Sequence, residues 1–266
     1  MIRQIILIIA LAAAVSYCIP GLLAFDPQLR IDRSDSVRLE LIRAQSLVSQ
    51  GKYGEASMIC IRTMENDPGN KEAVRIWLTA NRGNGPGSPD GDVRLLRDLE
   101  TRYPDNSAVI FWKSMILAEN GHPEEALKGF EVLTNIQPDS AVNWIAKGQI
   151  MDALGRFNEA YMALDKGVKL DPRRSDVWGM RGVALARLSR YNEAIESLTK
   201  ALDMSPGNPV DLYNRACVYC LKGDKTRSME DLKRAITASP EFRQMAANDN
   251  DFRKLWNDPD FINLTK

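Results

Sequence analysis

The chain has 266 residues, 44% hydrophobic and 26% charged, which is the balance of a globular protein with room for a sizeable core in one or two domains. Lysine plus arginine and aspartate plus glutamate both number 35, so the formal net charge is zero, and this argues against a nucleic-acid binder carrying a basic excess. Four cysteines and one histidine are thin material for metal or nucleophile chemistry.

In chain order the first element is apolar. Residues Ile5 to Val15 form an unbroken apolar run after Arg3, and the character continues through Ile19 to Phe25 across Pro20-Gly21. A bilayer span takes about 20 apolar residues and a signal peptide about 7–15, so residues 1–25 read as a helical signal-anchor or a signal peptide. Leu22-Leu23-Ala24 is an imperfect cleavage site, which favours the uncleaved anchor. Arg30, Arg33, Arg38 and Arg43 on the far flank would hold the domain inside. A short positive start before an apolar run is instead the form of an export signal. The expectation is a membrane-anchored domain on the extracytoplasmic side, with secretion after cleavage as the alternative. Residues 26–36 read as a linker.

The rest of the chain is periodic. Pro104, Pro138, Pro172, Pro206 and Pro240 recur every 34 residues, and Pro68 lies 36 before the first of them. Gly121, Gly155, Ser189 and Gly223 recur at the same interval, with Gly51 in phase with Pro68. A small residue follows the same rule at Ala56, Ala126, Ala160, Ala194 and Ser228. Each class has a physical reason. Glycine ends a first helix because it enters the left-handed region without a Cβ penalty. Proline closes a second helix because it lacks an amide and disfavours helix before itself. The small residue belongs where two helix backbones approach closely, since a larger one would overpack.

A 34-residue period with these residues resembles the tetratricopeptide repeat (TPR). Repeat 141–174 shows Trp144, Gly148, Ala160, Leu164 and Pro172; repeat 175–208 shows Trp178, Gly182, Tyr191, Ala194, Ala201 and Pro206. Repeat 209–242 shows Leu212, Ala216, Tyr219, Ser228, Ala235 and Pro240, and repeats 107–140 and 37–70 carry weaker forms. Repeat 71–106 departs from the pattern. The glycine- and proline-rich stretch Asn81 to Gly91 reads as a loop that shortens both its helices, and Asp92 holds the small-residue position. Residues 243–266 leave the period with Asp251-Phe252, Leu255, Asp258-Pro259 and Phe261, resembling the segment that follows the last repeat in many TPR proteins. Phe252, Leu255, Trp256 and Phe261 are expected to cap the last helix pair. The resemblance implies an all-α, right-handed solenoid of antiparallel helix pairs, with six repeats over 37–242 and Trp144 and Trp178 as core residues.

No catalytic, cofactor or metal set is read. Cys217-x-x-Cys220 offers two ligands where zinc takes about four, and it lies mid-helix, away from the helix start that would activate a thiol. His122 reads as a solvated turn residue. The resemblance places a ligand groove on repeat positions 2, 5, 9 and 12 of the first helices. The candidates are Arg75, Arg82, Phe111, Met115, Ile145, Gln149, Asp152, Val183 and Tyr213. The Lys/Asn/Arg set of TPR domains that grip chaperone carboxylates is absent from these positions. A fairly apolar groove implies an apolar peptide or helix of an unidentified protein partner. The expected function is a membrane-tethered, non-enzymatic interaction scaffold. The rivals are a structural subunit of an envelope assembly and a C-x-x-C thiol redox protein.

Overall fold

The computed structural model describes residues 33–82 and 89–266. The apolar segment 1–25, residues 26–32 of the linker, and residues 83–88 of the glycine-rich loop lie outside the described residues. Among the described residues there is no strand, and the helices pack in consecutive antiparallel pairs as an all-α solenoid. The chain divides into two compact units, Met1–Gly87 and Ser88–Lys266, and the division falls in the expected loop.

In the first unit, α1 (Arg33–Ser49) packs on α2 (Tyr53–Asn66) and α3 (Lys71–Arg82), and α2 packs on α3. Leu41, Ala44, Ala56, Cys60 and Met64 are buried at the contacts. Leu39 and Ile42 of α1 stand more than half exposed.

The second unit begins with α4 (Pro89–Arg102), opened by a proline at its first position. It has 14 residues, as many as the later second helices, so the expected shortening does not occur on this side of the loop. Asp92, in the small-residue position, is buried. Then come α5 (Ser107–Glu119), α6 (Pro123–Ile136), α7 (Ala141–Ala153), α8 (Phe157–Leu170), α9 (Ser175–Arg187), α10 (Tyr191–Met204), α11 (Pro209–Lys222) and α12 (Lys225–Ala238). The first helices start at 107, 141, 175 and 209, spaced by the proline period. α4 packs on α5, each later second helix packs on its own first helix and on the next helix, and α5, α7, α9 and α11 also touch in succession. First helices therefore form one layer and second helices another.

Local chemistry explains the boundaries. Asn106 accepts from the amides of Ala108 and Val109, and Asn208 from those of Val210 and Asp211, so both cap a helix start. Gly223 ends α11 at φ +92°, and Ser189 takes the equivalent left-handed place after α9 at φ +59°, where a side chain is strained. The buried small residues sit where backbones meet. A Cβ on Gly148 would lie 2.7 Å from Leu164 Cγ and 3.3 Å from the Ala160 carbonyl. One on Gly182 would lie 2.6 Å from Leu198 Cγ and 3.2 Å from the Ala194 carbonyl.

Trp144 and Trp178 are not core residues. Both are half-buried, and their indole N–H groups donate to the carbonyls of Pro138 (2.7 Å) and Pro172 (3.0 Å). Indole is amphipathic, so the ring covers apolar surface while its N–H stays at the edge. Each clasps the start of its repeat to the proline closing the one before. At the following joint no tryptophan is available, and Arg234 donates to the Pro206 carbonyl at 3.2 Å instead.

The chain ends with α13 (Phe242–Asn248), a 3₁₀ helix (Asn250–Leu255) and α14 (Pro259–Thr265), capped by Asp258. Phe242, Phe252, Leu255 and Phe261 are buried. Trp256, also expected in this set, is 38% exposed. Residues three apart share a face in a 3₁₀ helix, so Phe252 and Leu255 point inward together and the next residue turns away.

Candidate functional site

The candidate groove residues fall on both units and are described within each. In the first, Arg75 and Arg82 are exposed on α3. Arg75 Nε donates to Glu72 at 2.8 Å, so the cation expected there is largely compensated by its own helix neighbour. Beside it, a cleft of about 750 Å³ is lined by Val37, Leu41, Ile42, Gln45, Asn70 and Glu72.

In the second unit the candidates divide by depth. Repeat position 5 is occupied by Phe111, Ile145, Gly179 and Tyr213, and all four are buried. Phe111 meets Phe130 edge to face at 5.6 Å, and Ile145 packs against Gly167 of α8. These two support the layer of first helices from beneath and do not present an open surface. Position 9 is occupied by Met115, Gln149 and Val183, all half-buried on α5, α7 and α9. Gln149 reaches Met180 of the next first helix at 3.4 Å. Position 12 of α7 is Asp152, half-buried, with one carboxylate oxygen unpartnered.

On α11 the chain's own end covers the same positions. Tyr213 is 3% exposed, stacks on Phe242 at 4.8 Å, and donates its hydroxyl to Asp249 at 2.8 Å. Phe252 meets it edge to face at 5.6 Å. Cys217 and Cys220 lie in the same buried cluster as Phe242, Phe252, Leu255 and Phe261. The row of position-9 side chains is thus closed at α11 by residues 242–261.

Three carboxyls on or against these helices are shifted upward. Burial raises the carboxyl of Asp152, and Arg187 opposes the shift. Burial and then Asp249 raise Asp251, again opposed by Arg187. Asp211 rests its carboxylate against Gly179, where a Cβ would lie only 2.3 Å away. One of its oxygens has no partner, and burial with the charge of Asp176 pushes it up to about 6. Burial also holds Cys60 at about 12 and Cys217 well above the ordinary thiol value. These thiols are protonated and poorly nucleophilic near neutral pH.

Sequence reasoning did not single out Gly179, Arg187, Asp211, Asp249 or Asp251 as partners. Asp251 stands in the Asp251-Phe252 motif after the last repeat, but nothing in the period signals that it or Asp249 returns to α11.

Two family models match, both described as tetratricopeptide repeat, over residues 145–209 and 212–242. No curated protein matches the chain. Among solved structures, a truncated MamA from Desulfovibrio magneticus RS-1 is similar with TM-score 0.58 and 18% identity, over 65% of this chain and 97% of that one. A tetratricopeptide repeat protein from Parabacteroides merdae is similar with TM-score 0.55 and 15% identity, over 86% of this chain and 98% of that one. Another MamA structure gives TM-score 0.54 and 18% identity over 57% of this chain and 90% of that one. Likeness at such identity is one of fold. The matched repeats, the 34-residue spacing of the helices and the packing in successive pairs agree: the chain is a tetratricopeptide-repeat protein.

Proposed function

We propose that this protein is a non-enzymatic interaction scaffold that binds a peptide or helix of another protein along the first helices of its second unit. The observation supporting this is the half-exposed row Met115, Gln149 and Val183, with the half-buried Asp152 beside it. Half-buried apolar and amide side chains repeated at one position of successive first helices favour contact with a partner. The buried, protonated thiols count against the redox alternative. Residues 1–25 tether the scaffold to a membrane in this reading, with the repeats on the extracytoplasmic side. Among the described residues no helix is long and apolar enough to cross a membrane, so the tether rests on the apolar leader.

The test is crosslinking and capture of the full-length protein from its native cells, beside a variant carrying Met115→Glu and Val183→Glu. Phe111 is unsuitable for such a test because it is buried on Phe130. A protein retained by the wild type and lost by the variant supports the groove. Identical captures from both would overturn it. Alkaline washing of the membranes tests the tether: release of the protein into the wash would reject an anchor.

A further inference from the structure

The C-terminal segment returns two carboxylates to a cysteine of α11. Sγ of Cys217 and one carboxylate oxygen from each of Asp249 and Asp251 lie within 4.8 Å of one another. Cys217 is only 6% exposed, is a free thiol, and makes no hydrogen bond among the described residues. It is a potential metal ligand, buried and not engaged in a hydrogen bond, beside two carboxylates. Asp249 is already oriented, since it accepts from the Tyr213 hydroxyl at 2.8 Å and from the Asp251 amide at 3.0 Å. Hydrogen bonds of this kind fix ligands around protein-bound metals.

We propose that Cys217, Asp249 and Asp251 bind a thiophilic divalent cation of the zinc class, which locks the C-terminal segment onto the last repeat. The donor set selects the ion. Calcium takes six to eight oxygen ligands and magnesium is held by oxygen, so a sulfur with two carboxylates suits neither. Zinc accepts thiolate and carboxylate together, and a site of three protein ligands leaves its fourth position to water. Tetrahedral zinc sets its donors roughly 3.3–3.7 Å apart, given metal–ligand bonds of about 2.0–2.3 Å. The donors lie within 4.8 Å of one another, so they must draw somewhat closer on binding. The charges also balance. A thiolate and two carboxylates carry three negative charges, the ion two positive, and Arg187, which acts on both Cys217 and Asp251, offsets the remainder. On binding, the thiol proton leaves to water as the metal–sulfur bond forms.

The experiment is titration of the full chain, stripped with a chelator, with cobalt(II) as a coloured substitute for zinc. The expected result is a near-ultraviolet thiolate-to-cobalt absorption that saturates at one equivalent, vanishes on adding zinc, and accompanies a rise in Tm. Cys217→Ser should abolish the band, Asp251→Asn should weaken binding about tenfold or more, and Cys220→Ser should retain it. No band in the wild type, or an unchanged band in Cys217→Ser, overturns the proposal. Should Cys217→Ser fail to fold, Asp251→Asn decides: an unchanged cobalt titration in that variant rejects the site.

Discussion

The concave positions of α9 and α11 are one repeat apart in sequence and have opposite fates. On α9 they hold Gly179, Val183 and Ala186; the last two remain half-exposed. On α11 they hold Tyr213, Cys217 and Cys220, all buried under the returning C-terminal segment. Register is identical, so the difference lies in what covers each face. A repeat period fixes where a side chain stands on its helix, while its exposure depends on segments outside the period.

The comparison breaks most sharply at Phe252. It is fully buried between Tyr213 and Phe261, so Phe252→Ala should cost about 3–5 kcal/mol in urea denaturation. Val183→Ala, on the uncovered face, should cost under about 1 kcal/mol. Equal losses would mean the two faces are equally covered. Trp144→Ala or Trp178→Ala should cost about 1–3 kcal/mol, less than a core tryptophan, because ring and N–H are only partly enclosed.

Asp211 offers a test of opposite sign. Burial and the charge of Asp176 push its carboxyl up from the ordinary 3.8 to about 6, so the fold disfavours the charged form. Its contribution to stability therefore falls as pH rises from about 4 to about 6 and is flat above that. Asp211→Asn should raise stability at pH 7 by about 1–2 kcal/mol, net of the lost charge at the α11 N-terminus, and flatten this part of the profile. Thermal unfolding from pH 4 to 8 measures it, and destabilisation at pH 7 would show that the carboxylate has a favourable partner. The smallest effect is expected at Ser189. Ser189→Gly should gain about 1 kcal/mol by relieving the left-handed backbone that Gly223 occupies freely after α11.

The solenoid was legible because its signals are local. Proline, glycine and the small residue each act within a few residues, and each marks a helix end or a close helix contact. The tryptophans were misplaced because the family pattern gives their position without the carbonyl that draws the indole edge outward. Trp256 was misplaced because the motif does not reveal that residues 250–255 are 3₁₀, which sets a three-residue face. The candidate groove was readable by position and unreadable by depth. Phe111, Ile145 and Tyr213 occupy nominal groove positions, but the α6, α8 and C-terminal contacts that bury them come from other segments. The closeness of Cys217 to Asp249 and Asp251 crosses 32 and 34 residues and a chain reversal, which no spacing rule encodes.

The hydrogen bonds at Pro138, Pro172 and Pro206 bear on how the array responds to force. A stack of helix pairs behaves as a spring whose compliance concentrates at the joints between pairs. Here each of three successive joints is strapped by a donor, an indole at the first two and a guanidinium at the third. Each strap lies apart from the buried contacts beneath it, so each joint can be altered singly by one substitution at the surface.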